Sequence, residues 1–346
     1  MSAPTLSSGP PDPITPGRTG RSGPPRAVRR VAQLLLTVGV TWFIVAQIGV
    51  TVEEALSLEL ALPAPSAGWL ALSVLFLLAG FVFTASLWGK LAGELGARNP
   101  GPLASTRIVL AANLGRYLPG KVWQMAGLAL LSRREGMSAT VGTTAGVLGQ
   151  AFGLAAAGIL AVPVLVAPGA PGGRPALWVL VVLGLCIVGA SIPPLFRGGL
   201  RIVFRVARRS IEELPRTGPL FGPRWLGWYA LTWAIYGSAF VAFLRGLGFP
   251  GGFLELAAPF AAAYLLGYVA FFAPAGIGVR EGFLIAFLRP EMGAAAVGVA
   301  VLTRVWMTLA ELAPAGALAL WEVLRKDRRG DGPGTGRKAR EGGRGR

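Results

Sequence analysis

Apolar runs of about 20 residues, the length that crosses a bilayer, recur along this sequence. Inside lipid every backbone donor and acceptor must be satisfied by protein, and an α-helix does so within one segment. The chain is therefore expected to be an all-α polytopic membrane protein. The bulk numbers agree: 53% of its 346 residues are hydrophobic and the mean hydropathy is +0.59.

Two of the apolar stretches are broken. Residues 271–288 read FFAPAGIGVREGFLIAFL, with Pro274, Gly276 and Gly278 in the middle and Arg280 and Glu281 directly after. Proline withholds a backbone donor and glycine loosens a helix. At membrane depth such a break persists only where protein or a water-filled cavity satisfies the freed groups. Charges at that depth point to function. The competing reading is a short loop between two ordinary spans, with Arg280 and Glu281 solvated. Residues 114–131, LGRYLPGKVWQMAGLALL, form a second broken stretch. Laying Pro119 on Pro274 brings Gly120 and Lys121 near Ala275 and Gly276. It also puts Met137 on Met292, eighteen residues after the proline in both. A shared break, short helix, methionine and small-residue span point to an internal duplication.

Charge gives the order and direction of the elements. Residues 1–25 are Pro, Ser, Gly and Arg with little apolar content, expected to be a disordered basic tail. They lack the apolar run and cleavage site of a signal peptide. Arg26, Arg29 and Arg30 precede a span at 31–50, which puts the N-terminus in the cytoplasm. The loop 51–66 carries Glu53, Glu54 and Glu59 without Lys or Arg, and should lie outside. A span at 67–88 returns inward, with Trp69 and Trp88 at interface depths. The broken segment 103–131 has basic residues on both sides, so both its ends should be cytoplasmic. It reads as a re-entrant hairpin with Pro119 and Gly120 at its tip, or as an amphipathic pair lying on the surface. Spans at 138–166 and 176–196 follow. The loop to Arg224 carries seven arginines and should be cytoplasmic. A span at 224–247, the second broken segment 253–289 and a last span at 294–321 lead into a basic tail, 325–346, expected to be disordered. Six full spans, with both termini cytoplasmic, satisfy the charge rule. The first hairpin then opens inside and the second outside. Residues 26–166 and 176–324 become inverted membrane repeats, a transporter architecture. If 255–273 were instead a full span, the C-terminus would lie outside.

The sequence has no His and one Cys, Cys186. An internal disulfide, a Cys/His metal site and a His general base are excluded. No metal, no cofactor and no catalytic residue are expected. The net charge is +17, with basic residues at the ends and in loops. That distribution fits contact with anionic headgroups at the cytoplasmic face rather than with nucleic acid. The abundance of Arg, Ala and Gly fits a GC-rich bacterial genome, and hence a cell inner (cytoplasmic) membrane.

The candidate binding residues are Arg116, Lys121 and Gln124 at the first tip and Arg280 and Glu281 at the second. Arg304 and Glu311, seven residues apart in the last span, lie on nearly one helix face. They form either a structural ion pair or part of a substrate site. Gln150 falls near the place of Arg304 in the first copy. Arg and Lys suit a phosphate, and amides freed around Gly120 and Gly278 add donors. Glu281 suits a basic side chain or a cationic headgroup. An apolar outer wall would leave acyl chains in the bilayer.

Pro274, Gly276, Ile277, Gly278, Arg280 and Glu281 resemble a Pro-x-Gly-Ile-Gly-x-Arg-Glu motif of the membrane part of bacterial lysylphosphatidylglycerol synthases. That family also occurs as stand-alone flippase-like proteins. Its first motif has a Pro followed by Gly-Glu and an Arg. Here Pro119 is followed by Gly120-Lys121-Val122, and Trp123-Gln124 stands in place of Gly-Glu. Thr303-Arg304 also looks like the family's pair. The resemblance spans about residues 30 to 325, most strongly at the motifs. It implies a membrane fold that moves a phospholipid, aminoacylated or not, or a lipid-linked headgroup between leaflets. After Trp321 only the basic tail remains, so a member without the soluble aminoacyltransferase domain, and not an enzyme, is expected. Two other readings stay open. One is a non-transporting accessory subunit of a lipid-linked glycosyltransferase or other envelope enzyme. The other is an intramembrane enzyme resting on Glu281 or Glu311. Neighbouring lipid-modifying enzymes would be partners.

Overall fold

The computed structural model describes residues 65–117, 122–170, 220–269 and 278–328, with scattered positions between 173 and 198. They belong to one compact unit, Ala46–Arg346. The expected span 31–50, most of 176–196, both tips at 118–121 and 270–277, and both tails lie outside the described residues. So do Pro119, Gly120, Lys121, Pro274 and Gly276, and the side chain of Arg116.

Among the described residues there are eight α-helices and no strand. They are α1 (Ala67–Glu94), α2 (Gly101–Asn113), α3 (Val122–Arg134), α4 (Ala139–Leu165), α5 (Phe221–Gly246), α6 (Phe253–Val269), α7 (Val279–Met292) and α8 (Ala295–Arg328). A 3₁₀ turn, Leu114–Tyr117, extends α2. Four helices are long and apolar enough to cross a membrane: α1, α4, α5 and the Ala295–Pro314 part of α8. The protein is thus a multi-pass, all-helical membrane protein. The helices of the two broken segments are shorter. At about 1.5 Å per residue, 13 to 17 residues reach 20–26 Å, less than the ~30 Å of a hydrocarbon core.

Helices in lipid gain little from burying apolar surface against each other, so close packing and interhelical hydrogen bonds hold them. The central pair is α1 with α5, and it is antiparallel. At one end Arg224 meets Glu94 at 2.7 Å and the Trp225 indole N–H donates to the same carboxylate at 3.0 Å. At the other end the Ser66 amide donates to the Gly246 carbonyl at 2.8 Å. Helix α4 lies against both. The Trp88 indole of α1 donates to the Gly142 carbonyl at 3.0 Å, and the Trp233 indole of α5 to the Gly153 carbonyl at 2.7 Å. Trp88, expected at interface depth, is buried in this contact. Ring stacking joins α5 to α6 through Phe240 and Phe260, 4.5 Å apart, and to α8 through Phe243 and Trp306, 4.8 Å apart.

Each broken segment forms a pair of packed helices. Helix α2 starts just after α1 ends, beside the Arg224 end of α5, and α3 packs back along it. Helix α6 starts just after α5 ends, and α7 packs back along it. The two pairs therefore begin at opposite ends of α5.

Candidate functional site

A cavity of about 150 Å³ lies inside the bundle, with walls from α1 to α6 and from α8. Its lining mixes aromatic rings with hydrogen-bonding groups. Asn113 and Gln124 come from α2 and α3, Gln150 from α4, Tyr229 and Thr232 from α5, and Glu311 from α8. Three of these, Gln124, Gln150 and Glu311, were singled out in the sequence.

Gln124 closes the first helix pair. Its side-chain amide donates to the Asn113 carbonyl oxygen at 2.7 Å. The helices can come this close because Gly115 has no side chain. A Cβ there would stand 2.8 Å from the backbone of Trp123 and Gln124, too near for any real carbon.

In the second pair, α7 is tied to α8 by charge. Gly278 caps the start of α7 at φ 80°, a left-handed conformation that favours glycine. Its N–H donates to the Glu281 carboxylate at 2.8 Å, the return half of a helix-start capping pattern. The other Glu281 oxygen accepts from Arg304 Nη1 on α8 at 3.2 Å, with both side chains largely buried. Arg304 therefore pairs with Glu281 rather than with Glu311, the partner that helix spacing alone had offered. Glu311, two turns further along nearly the same face of α8, lines the cavity instead.

Arg280 stands between the charged pair and the cavity wall. Its guanidinium lies 5.2 Å from the Phe260 ring centre and 5.6 Å from that of Tyr264. One N–H donates to the Met307 sulfur at 2.7 Å. Phe260, Tyr264 and Met307 all line the cavity. A guanidinium has five N–H donors, and a thioether is a weak acceptor. Among the described residues no oxygen accepts from Arg280, so the fork keeps donors for an anion.

The ring walls were not read from the sequence. Tyr229, Trp233 and Tyr236 are spaced four and three residues apart and so share one face of α5. The signal was present. It was masked because Trp225, Trp228 and Trp233 stand near a helix start, where tryptophans commonly mark the membrane interface. Trp225 and Trp233 are buried, while Trp228 is exposed.

Compared with known proteins, residues 30–315 match the profile of a family described as Lysylphosphatidylglycerol synthase TM region. No curated protein matches the chain.

Proposed function

The chain belongs to the lysylphosphatidylglycerol synthase transmembrane-region family, and from that premise we propose that it binds a phospholipid by its headgroup and passes it between leaflets. The lipid is aminoacylated or plain, or carries a lipid-linked headgroup. The membrane is the bacterial inner membrane, with both termini in the cytoplasm. The observation that carries this reading is the polar cavity inside a membrane bundle. A headgroup crossing unassisted would lose its hydrogen bonds to water, at several kcal/mol per unsatisfied group. Polar walls replace those bonds while the acyl chains stay in lipid.

Two further observations support it. The short helix pairs begin at opposite ends of α5, as the halves of an inverted re-entrant repeat would. Broken helices of that kind frame substrate sites in secondary transporters. Arg280, behind the wall formed by Phe260, Tyr264 and Met307, donates to no oxygen among the described residues, and its planar fork is suited to a phosphate. Glu281 and Arg304 hold α7 in place for it, and Arg116 and Lys121 would add positive charge at the other tip.

The test is reconstitution in vesicles with labelled phospholipids, with melting temperature measured on the same preparations. Hydrogen bonds to a charged group are worth about 1.5–3 kcal/mol, so Arg280→Ala should slow lipid movement roughly tenfold or more. Its melting temperature should hardly change. Arg280→Lys keeps the charge but not the fork, and should retain part of the rate. Full transport by well-folded Arg280→Ala protein would take Arg280 out of the mechanism. A wild-type protein that moves no lipid would leave the accessory-subunit reading ahead.

A further inference from the structure

Two polar groups on the cavity wall have no hydrogen-bond partner among the described residues. Tyr229 is only 4% exposed, and its hydroxyl makes no hydrogen bond among the described residues. It lies over Gly149, on the turn of α4 next to Gln150. The Gln150 amide also has no hydrogen-bond partner among the described residues, and it too faces the cavity. Buried polar groups are nearly always bonded, because an unbonded one is costly. Tyr229 is such a group, and the half-buried Gln150 beside it adds an amide, so this wall offers hydrogen bonds to a polar guest.

The rest of the wall narrows what the guest is. The indole N–H groups of Trp88 and Trp233 are already spent on the carbonyls of Gly142 and Gly153. What these rings offer the cavity is apolar carbon. Hydrogen-bonding groups that alternate with ring carbon suit a hydroxylated ring, whose C–H faces lie on aromatics while its hydroxyls point outward to amides and phenols. An engineered cavity of about 150 Å³ holds one benzene ring, so the space here admits no more than a single ring.

A cationic headgroup fits less well, although Glu311 and several rings are at hand. Arg280 already occupies the Phe260 and Tyr264 rings and lies within the electrostatic reach of Glu311. A second cation in the cavity would share the Glu311 carboxyl with the first and be repelled by it. An anion fits the cavity itself no better, because Arg280 sits behind its wall rather than in it.

We propose that the cavity recognises a neutral, hydroxyl-rich headgroup of about one six-membered ring, a sugar or cyclitol, with Tyr229 and Gln150 as its specificity-determining contacts. This rests on the lipid-binding reading above, and it names the headgroup for the same site. The lipid phosphate would then lie toward Arg280, outside the ring pocket.

The experiment titrates the purified full-length protein in detergent with three short-chain probes, read by tryptophan fluorescence. The probes are dioctanoyl phosphatidylinositol, dioctanoyl phosphatidylethanolamine and free inositol. A site built to bond hydroxyls rejects ligands without them strongly, so the inositol lipid should bind at least about tenfold tighter than the ethanolamine lipid. Tyr229→Phe and Gln150→Leu should each weaken the inositol lipid by roughly fivefold or more and leave the ethanolamine lipid unchanged. Melting temperatures identify any variant that fails to fold, and Tyr229→Phe, which removes one oxygen, keeps the test alive if Gln150→Leu does. Free inositol binding as tightly as its lipid would support the ring pocket and assign it to a soluble polyol. Equal binding of the two lipids, or variants without effect, would overturn the hydroxylated-ring proposal and leave the lipid site standing. No binding of either lipid would remove the lipid reading and this proposal with it.

Discussion

The α2–α3 pair reaches the central cavity with amides, whereas the α6–α7 pair reaches its wall with full charges. Asn113 and Gln124 share one neutral hydrogen bond. Glu281 and Arg304 share an ion pair, and the same carboxylate holds the start of α7. The two pairs are alike in length and in how they fold back. They differ in what ties them down: an amide bond joins α2 to α3, whereas an ion pair joins α7 to α8. A neutral interhelical bond in a membrane averages about 0.6 kcal/mol. Breaking a buried ion pair by removing one partner costs roughly 3–5 kcal/mol. The charged pair is thus the fixed side of the site, and the amide pair is the side that opens more readily.

The largest effect should come from the fixed side. Glu281→Ala removes a cap and leaves Arg304 in lipid without its carboxylate, which should destabilise the protein by about 3–5 kcal/mol. Replacing both, Glu281→Ala with Arg304→Met, removes the stranded charge and should recover much of the loss. Thermal unfolding in detergent reads both variants. If the double variant melts no higher than the single one, the ion pair is not what fixes α7. The comparison between the two helix pairs would then rest on packing alone.

How far the sequence carried this picture depends on which physical rule each residue obeys. Span length is a local property, so α4 and α5 fall within a few residues of the expected 138–166 and 224–247. The broken segments were legible because Pro and Gly cluster there beside charges, at Pro119-Gly120-Lys121 and from Pro274 to Glu281, whereas a lone Pro such as Pro163 or Pro259 leaves its helix continuous. The partner of Arg304 was only partly legible: Glu281 suits a basic side chain, with Arg280 and Arg304 both open to it. Helix spacing relates residues on one helix, and it offered Glu311. Glu281 comes from a different helix, 23 residues away, and only the packing of α7 on α8 brings it there. The aromatic wall was hidden for a related reason. Tryptophan at a helix end serves an interface or a core equally well, and the neighbour that decides, here Gly153 of α4, is 80 residues distant from Trp233. The amide character of the first pair was visible, since Trp123 and Gln124 stand where the resembling family has Gly-Glu.

A middle-sized effect should come from the packing of the amide pair. Gly115 lies against backbone, not against a side chain that can swing aside. Gly115→Ala must therefore push α3 away from the turn after α2. Overpacking of this kind costs about 1–3 kcal/mol. Because the same shift would displace the part of the cavity wall that α3 supplies, Met125 and Leu128 included, lipid movement should fall together with the melting temperature. An unchanged melting temperature would mean that the turn relaxes without moving α3, and that the α2–α3 pair is looser than its contacts imply.

The smallest effect should come from the amide bond itself. Gln124→Ala deletes one neutral interhelical hydrogen bond, so stability should drop by only about 0.6 kcal/mol, within the ordinary range for membrane helices. The freed Asn113 amide still faces the cavity, where water or a headgroup can bond it, so no buried orphan is created. The measurement that matters is the pair of rates for lipid entry and exit in vesicles. With the latch removed and the charged pair intact, the α2–α3 side should open more often, and both rates should rise or stay level while Glu281→Ala lowers them. A Gln124→Ala variant that loses as much stability as Glu281→Ala would make the two helix pairs energetic equals. The division into a fixed side and an opening side would then have no basis.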